Sequence, residues 1–126
     1  MVNIIENDRF ADYVGIRLVK AEPGYALAEL EVSEKHLNGV DMVQGGAIFT
    51  LADYAFAAAV NTKTPVTVAV QASISFFKSP KGRLLKAEAR ELASSRKICG
   101  CNVDVFDEDG ELVARFSGMG YIKTQA

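Results

Sequence analysis

The stretch from Asn38 to Asn61 holds the residues whose types and spacing are best suited to chemistry. The adjacent glycines Gly45 and Gly46 are followed by a long apolar segment, in which Asp53 is the only charged residue. Burying a carboxylate in an apolar helix is costly unless the group has a partner or a chemical role. Asp53 is therefore a candidate catalytic group. The alternative is a structural aspartate that is hydrogen-bonded to a neighbouring strand.

An apolar stripe at helical spacing predicts that Asp53 lies on a long helix. The stripe consists of Ile48, Leu51, Ala52, Ala55, Phe56 and Ala59. The opposite side is scarcely more polar, so the helix is expected to be buried on most sides. It is predicted to begin at Gly45 or Gly46 and to end near Lys63 and Pro65, with Asn61 as its C-terminal cap.

Short helical and strand-like patterns flank this helix. They predict a helix over 7–14 with Phe10, Tyr13 and Val14 on one face, strands over 16–21 and 25–32, a loop over 33–43, and strands over 66–77, 84–92, 97–107 and 112–123. Asp107 to Gly110 is typical of a hairpin turn. This order predicts an α+β fold, one domain over residues 1–126, with an antiparallel sheet of five to six strands curved around the central helix.

Composition excludes several other classes of protein. The chain has 49% apolar and 24% charged residues and a formal net charge of −2, which favours neither a nucleic-acid nor a membrane partner. There is no signal-peptide pattern and no apolar run of the ~20 residues that a membrane span needs. The expected location is the cytoplasm.

The cysteines and the histidine do not form a metal site or a catalytic triad. Cys99 and Cys101 are too few for zinc and poorly spaced for a disulfide, so they are interpreted as small apolar side chains on one strand face. His36 is the only histidine and is interpreted as a loop residue. We expect no metal and no cofactor.

The order of elements and three motifs together resemble the hotdog-fold acyl-CoA thioesterases, most closely the phenylacetic-acid-degradation (PaaI) type. The motifs are Asn38-Gly39, Gln44-Gly45-Gly46 and Leu51-Ala52-Asp53. The family pattern has Asn-Gly, then His-Gly-Gly, then Leu-Ala-Asp on the helix. The chain departs from it at Gln44, where the PaaI type usually has histidine and other branches of the superfamily use glutamine.

The resemblance implies catalytic roles for four residues. The Gly45 N–H at the helix N-terminus would bind the thioester oxygen as it becomes negative. Asp53 would act as general base on water or would attack the thioester directly. The Gln44 amide would donate to the thioester carbonyl or orient Asp53, but it cannot transfer a proton as histidine can. Asn38 would position water or substrate, and a plain turn role is its alternative.

The spacing of Gly45 and Asp53 requires a second subunit. Eight helical residues at 1.5 Å each separate them by about 12 Å along the axis, too far for one carbonyl group. Two antiparallel helices related by a two-fold axis would bring Gly45 of one subunit to Asp53 of the other. A homodimer with two composite sites is therefore expected, and the family resemblance implies a dimer of dimers.

The resemblance also implies an acyl-CoA substrate and a binding surface for it. A tunnel between subunits would be lined by Gly46 and by aromatic residues such as Phe49, Tyr54, Phe56 and Phe77. Basic side chains would bind the coenzyme A phosphates. The candidates are Lys78, Lys81, Arg83, Arg96 and Lys97, and the family often has a basic turn at Arg96-Lys97.

The function expected from this resemblance is hydrolysis of an aryl- or medium-chain acyl-CoA. An alternative is a non-catalytic acyl-CoA binding or sensing protein, which Gln44 favours and Asp53 disfavours. A hotdog dehydratase would be expected to have a histidine near the helix start, and this chain has none there.

Overall fold

The computed structural model describes residues 2–62 and 66–123. Its elements are α1 (Val2–Glu6), α2 (Arg9–Val14), β1 (Ile16–Glu22), β2 (Tyr25–Glu31), a 3₁₀ turn (Glu34–His36), α3 (Gly45–Val60), β3 (Thr67–Phe76), β4 (Leu84–Ser94), β5 (Ile98–Phe106) and β6 (Leu112–Ile122). The predicted α+β class is confirmed, and so are the strand predictions, to within a few residues at each end. The first short helix, α1, was not predicted.

The six strands form one curved antiparallel sheet in the order β1-β2-β4-β5-β6-β3. The predicted hairpin between β5 and β6 is present, with Gly110 at a φ of 81°. Asp107 organises this turn, because its buried carboxylate accepts hydrogen bonds from the N–H groups of Lys81, Asp109 and Glu111. Strand β3 forms one edge of the sheet, so one side of its backbone has no neighbouring strand.

Helix α3 packs across the concave face of the sheet. All six residues of the predicted apolar stripe are buried. Small inward-facing residues on β2 and β4, namely Ala26, Ala28, Ala87 and Ala89, let the helix approach closely. The helix ends at Val60 with Asn61 as its cap, as predicted, while Lys63 and Pro65 lie outside the described residues.

Asn61 also joins the end of α3 to the start of β3. Its side chain donates to the carbonyls of Ala57 and Thr67 and accepts from the Thr67 N–H. These bonds satisfy orphan carbonyls at the helix C-terminus and fix the position of the edge strand relative to the helix.

Two sheet glycines on β6 make room for Phe56, the largest fully buried side chain of α3. A Cβ atom at Gly118 would lie 2.9 Å from Phe116 Cε1 and 3.0 Å from Phe56 Cδ1. A Cβ atom at Gly120 would lie 2.6 Å from Thr67 Cγ2. Both phenylalanines are almost fully buried, and their rings pack at a tilt of 50° with 5.8 Å between the centroids, so neither ring has open space beside it.

The predicted apolar face of α2 is only partly covered. Val14 packs against the core, but 63% of Phe10 and 77% of Tyr13 are exposed. Asp8 caps α2 by accepting a hydrogen bond from the Ala11 N–H, and Gly15 ends it at a φ of 98°. Within residues 2–62 and 66–123, no helix has the length and apolar character needed to cross a membrane.

Replacing Gly118 by alanine should destabilise the fold. The added methyl group overpacks against two immobile rings, so we expect the free energy of unfolding to fall by about 1–3 kcal/mol. Urea unfolding at a fixed protein concentration measures this loss. Gly100→Ala on β5 is the matched control, because a Cβ there meets no atom within 4 Å. An equal loss in both variants would contradict the packing explanation.

Candidate active site

The N-terminus of α3 offers backbone donors to a ligand. Gln44 is the N-cap, and its carbonyl accepts from the N–H groups of Ala47 and Ile48. The Gly45 and Gly46 N–H groups donate no hydrogen bond within the described ranges. Because the positive end of the helix dipole is also here, this terminus can stabilise a developing negative oxygen.

Gln44 is held by its backbone and free at its side chain. Its N–H donates to the His36 carbonyl at 2.8 Å. The side chain is exposed and forms no capping hydrogen bond. Its amide is therefore available to a ligand beside the Gly45 and Gly46 N–H groups, and its role in binding the carbonyl stays a prediction.

His36, whose carbonyl accepts the hydrogen bond from Gln44, is itself held in place by its side chain. The interpretation of His36 as a plain loop residue needs correction, because the residue lies in the 3₁₀ turn and is 5% exposed. Its Nδ1 accepts from the Ser33 N–H at 2.9 Å, and its Nε2 donates to the Val14 carbonyl at 2.6 Å. Both ring nitrogens are thus used structurally, which agrees with the prediction that His36 does not belong to a triad.

Asn38 organises the loop that leads to Gln44. Its Oδ1 accepts from the N–H groups of Val40 and Met42, and its N–H donates to the Met42 carbonyl. Asp41, within this loop, has a φ of 61°. These bonds account for the turn role, and the further role in positioning water or substrate stays a prediction.

Asp53 lies two turns along α3, on the part of the helix that the rest of the chain leaves partly open. This seam is formed by Gly46, Thr50, Asp53 and Ala57, while the rest of the helix is mostly buried. In the described part of the chain, the Asp53 carboxylate has no hydrogen bond and no ion pair. The alternative, a structural aspartate, requires a hydrogen bond to a neighbouring strand, and the Asp53 carboxylate makes no such bond to the described residues.

The environment of Asp53 favours its protonated form. Burial raises the pKa of the Asp53 carboxyl, and the negative charge of Asp8 raises it further. A carboxylate with a raised pKa is a stronger base when it is ionised, which suits proton abstraction from water. The N-terminal segment thus contributes to the electrostatics of Asp53, and sequence patterns gave no signal of this because the two residues are 45 positions apart.

An apolar cleft of about 280 Å³ opens beside Gly45. Its lining includes Met42, Val43, Ile48, Phe76, Phe77 and Pro80, with Lys78 and Ser79 as the polar side chains. Phe77 was predicted as a lining residue. Phe76 was not, although its ring lies 3.2 Å from the position that a Cβ atom on Gly45 would take. The alternation of β3 placed Phe76 on a strand face, but only the tertiary structure brings that face to the start of α3.

The other predicted lining residues lie away from this cleft. Phe49 is partly exposed and packs edge-to-face on Phe116, with 5.4 Å between ring centroids. Tyr54 is 8% exposed, and its pKa is raised by burial and by the charges of Asp8 and Glu6, which indicates a position beneath the N-terminal segment. Phe56 is in the core. The substrate-binding roles of Phe49 and Tyr54 stay predictions.

The candidate basic residues fall into two groups at opposite ends of the sheet. Lys78, Lys81 and Arg83 follow β3, at the end where α3 begins, and Lys78 is ion-paired with Glu111. Arg96 and Lys97 are exposed in the β4–β5 turn. That turn lies near the C-terminus of α3, because the Lys97 carbonyl accepts from Ile122, whose strand partner is Thr67.

Comparison with known proteins identifies the class that this arrangement defines. The family model of the Thioesterase superfamily matches residues 41–114, which include Gln44, Gly45 and Asp53. The chain belongs to this superfamily, and it is a thioester hydrolase with the hotdog fold.

Individual members of the superfamily are similar to this chain over most of its length. The chain is 30% identical to the acyl-coenzyme A thioesterase PaaI of Escherichia coli over 92% of this chain and 84% of that one. The solved structure of E. coli PaaI matches with a TM-score of 0.92, covering 98% of this chain and 91% of that chain at 27% identity. A putative esterase of Archaeoglobus fulgidus is 33% identical over 92% of this chain and 76% of its own.

A further relative was solved with a ligand. The structure of smu.793 from Streptococcus mutans, bound to acetyl CoA, matches with a TM-score of 0.82 and 26% identity. The alignment covers 88% of this chain and 90% of that one. The predicted resemblance to the PaaI type is confirmed.

The charge of Asp8 should be visible in the pH dependence of hydrolysis. If Asp53 must be ionised to act, kcat/KM rises as the pH passes through the pKa of Asp53. This pKa lies above the ordinary aspartate value of about 3.9. Asp8→Asn removes the charge and keeps the cap of α2, because asparagine caps as well as aspartate. We expect the midpoint of the acidic limb to move to lower pH.

The control for this shift is Asp12→Asn, one turn further along α2. Asp12 is exposed and is not among the groups that raise the pKa of Asp53. Its replacement should leave the midpoint unchanged. A midpoint that is the same in wild type and Asp8→Asn would show that Asp53 does not control the limb or that Asp8 does not act on it.

Proposed function

We propose that the protein hydrolyses acyl-CoA thioesters with aryl or medium-chain acyl groups. The observation that supports this most is the half-buried Asp53 carboxylate, which has no partner among the described residues, on the same helix as two free N–H groups at its start. The acyl-CoA thioesterase PaaI and the acetyl-CoA complex among the relatives support the substrate class. Coenzyme A is then part of the substrate, and no separate cofactor is needed.

In the proposed reaction, the thioester carbonyl oxygen lies on the Gly45 N–H, and the Gln44 amide donates to the same oxygen. Asp53 removes a proton from water as the water oxygen attacks the carbonyl carbon. The negative charge on the carbonyl oxygen is stabilised by the donors. The carbon–sulfur bond then breaks, the proton passes to the leaving thiolate, and the products are a carboxylic acid and free coenzyme A.

Direct attack by Asp53, through a mixed anhydride, is the competing route. A single turnover in ¹⁸O-labelled water separates the two. Attack by water leaves the label in the released acid and none in the protein, whereas the anhydride route labels the Asp53 carboxylate when water attacks the side-chain carbonyl.

We further propose that the site is composite and forms in a homodimer, two of which associate as a tetramer. The ~12 Å between Gly45 and Asp53 along α3 requires a second chain. The edge strand β3 is one candidate for the contact between two chains. It is ten residues long, carries no charge and exposes Val68 and Val70. Such an edge is an aggregation hazard unless another strand covers it.

Substitution of Asp53 tests the catalytic role. Asp53→Asn keeps the size of the side chain and removes the base, so we expect kcat to fall by about 10²–10⁴-fold, the usual contribution of a general base. Release of free thiol from a panel of acyl-CoAs measures this. Undiminished turnover in a folded Asp53→Asn protein would refute the proposed role, and acyl-CoA binding without turnover in wild type would favour the sensing alternative.

Mixing two inactive variants tests the composite site. A dimer of one Asp53→Asn chain and one Gly45→Val chain contains one site with both Gly45 and Asp53. After unfolding and refolding an equal mixture, we expect about a quarter of the wild-type rate, since half of the dimers are mixed and each has one complete site of two.

The controls for this experiment are the two variants refolded separately, which should stay inactive. Size-exclusion chromatography reports whether each has assembled. No recovered activity from a properly assembled mixture would place both groups of each site in one chain and refute the composite arrangement. The cytoplasmic location and the binding of coenzyme A phosphates by the basic residues stay predictions.

A further inference from the structure

The Phe76 ring stands end-on against Gly45. A Cβ atom at Gly45 would lie 3.2 Å from Phe76 Cζ and 3.5 Å from Cε1, so the tip of the ring contacts the start of α3. The φ of Gly45 is not positive, and this contact therefore limits the position more than backbone conformation does. Apart from the neighbours of Gly45 in the chain and the backbone of its own helix, the three atoms nearest to this Cβ position all belong to the Phe76 ring.

Phe76 is not a core residue. Half of it (50%) is exposed, and it forms the last residue pair of β3 with β6, opposite Ala114. A ring in such a place contributes little to the core, so its size can change without loss of the fold. Its exposed part instead forms a wall of the cleft that holds Gly45.

The cleft suits hydrocarbon better than the pantetheine arm of coenzyme A. Most of its lining is apolar, and a cavity of about 150 Å³ is enough to hold benzene. The 280 Å³ here can take an aromatic ring or several methylene groups. The two amides of pantetheine would lose their hydrogen bonds to water in such surroundings, which costs free energy.

We infer that Phe76 determines which acyl groups the enzyme accepts. With the thioester carbonyl on the Gly45 N–H, the acyl chain enters the apolar cleft and meets the Phe76 ring first. The size of residue 76 then sets the length and width of the acyl group that fits. This inference rests on the proposed function, and it adds the residue that selects the substrate.

The test compares kcat/KM for acetyl-, butyryl-, octanoyl- and phenylacetyl-CoA in wild type, Phe76→Ala and Phe76→Trp. Removing the ring should raise the octanoyl-to-butyryl ratio about tenfold, because the freed space would bury one to two more methylene groups of the longer chain, each worth about fourfold. The larger tryptophan should lower this ratio. Phe76→Leu is a second, more conservative variant in case Phe76→Ala does not fold. Turnover of acetyl-CoA by each variant reports whether the reacting groups are intact.

Phe10→Ala is the matched control, because Phe10 is a similarly exposed phenylalanine on α2 and does not line the cleft. Its ratio should equal that of wild type. Ratios within about twofold of wild type in all folded Phe76 variants would overturn the inference. So would an equal shift in Phe10→Ala.

Binding measurements separate this inference from the proposed reaction. Calorimetric titration of the same acyl-CoAs into Asp53→Asn, with and without Phe76→Ala, reads the chain-length preference without turnover. A shifted preference there supports the role of Phe76 even if Asp53 proves dispensable for hydrolysis. An unshifted preference overturns the role of Phe76 while leaving Asp53 catalysis standing, and no acyl-CoA binding at all overturns both.

Discussion

The close packing of α3 against the concave face of the sheet is the constraint on which the site depends. Alanines on β2 and β4 and glycines on β6 keep that face shallow, so that the helix lies directly on the strands. The Phe56 ring occupies the space that Gly118 and Gly120 leave. With the helix held in this way, its N-terminal N–H groups and its one carboxylate have defined positions relative to the sheet edge.

The polar side chains that the fold buries or half-buries include two kinds. Asp107, His36 and Asn61 have their hydrogen bonds satisfied by backbone groups, and each joins two elements of the fold. Asp53 has no such bonds in the described ranges, and a neighbouring negative charge makes its ionised form still less favourable. Since a partly buried charge without a partner costs stability, its presence is better explained by chemistry than by folding.

In the proposed composite site, one chain contributes only part of the groups that the reaction needs. The seam of α3 that carries Asp53 is partly open. The edge strand β3 is long and uncharged, and one side of it is unpaired within the described residues. The cleft beside Gly45 ends at this same edge, through Phe76. A second chain that covers the edge would close the cleft and supply the missing carboxylate at once, so assembly and catalysis would share one surface.

The sequence by itself determined the class of fold, the long buried helix, the apolar stripe that this helix buries, and the presence of a glycine pair at the start of the helix that carries Asp53. These follow from local periodicity and from a motif whose residues are close in the chain. It also identified Asn61 as a helix cap, because capping is a local interaction. The membership in the thioesterase superfamily follows from the same motif.

Only the tertiary structure decided which distant residues share a site. It brought Phe76 to Gly45 and the charge of Asp8 to Asp53, and it put Lys78 and Arg96 at opposite ends of the sheet. It also buried His36 between two elements. Each of these contacts joins segments that are separated along the chain, and their distances depend on strand order and helix placement, which residue patterns within one segment do not contain.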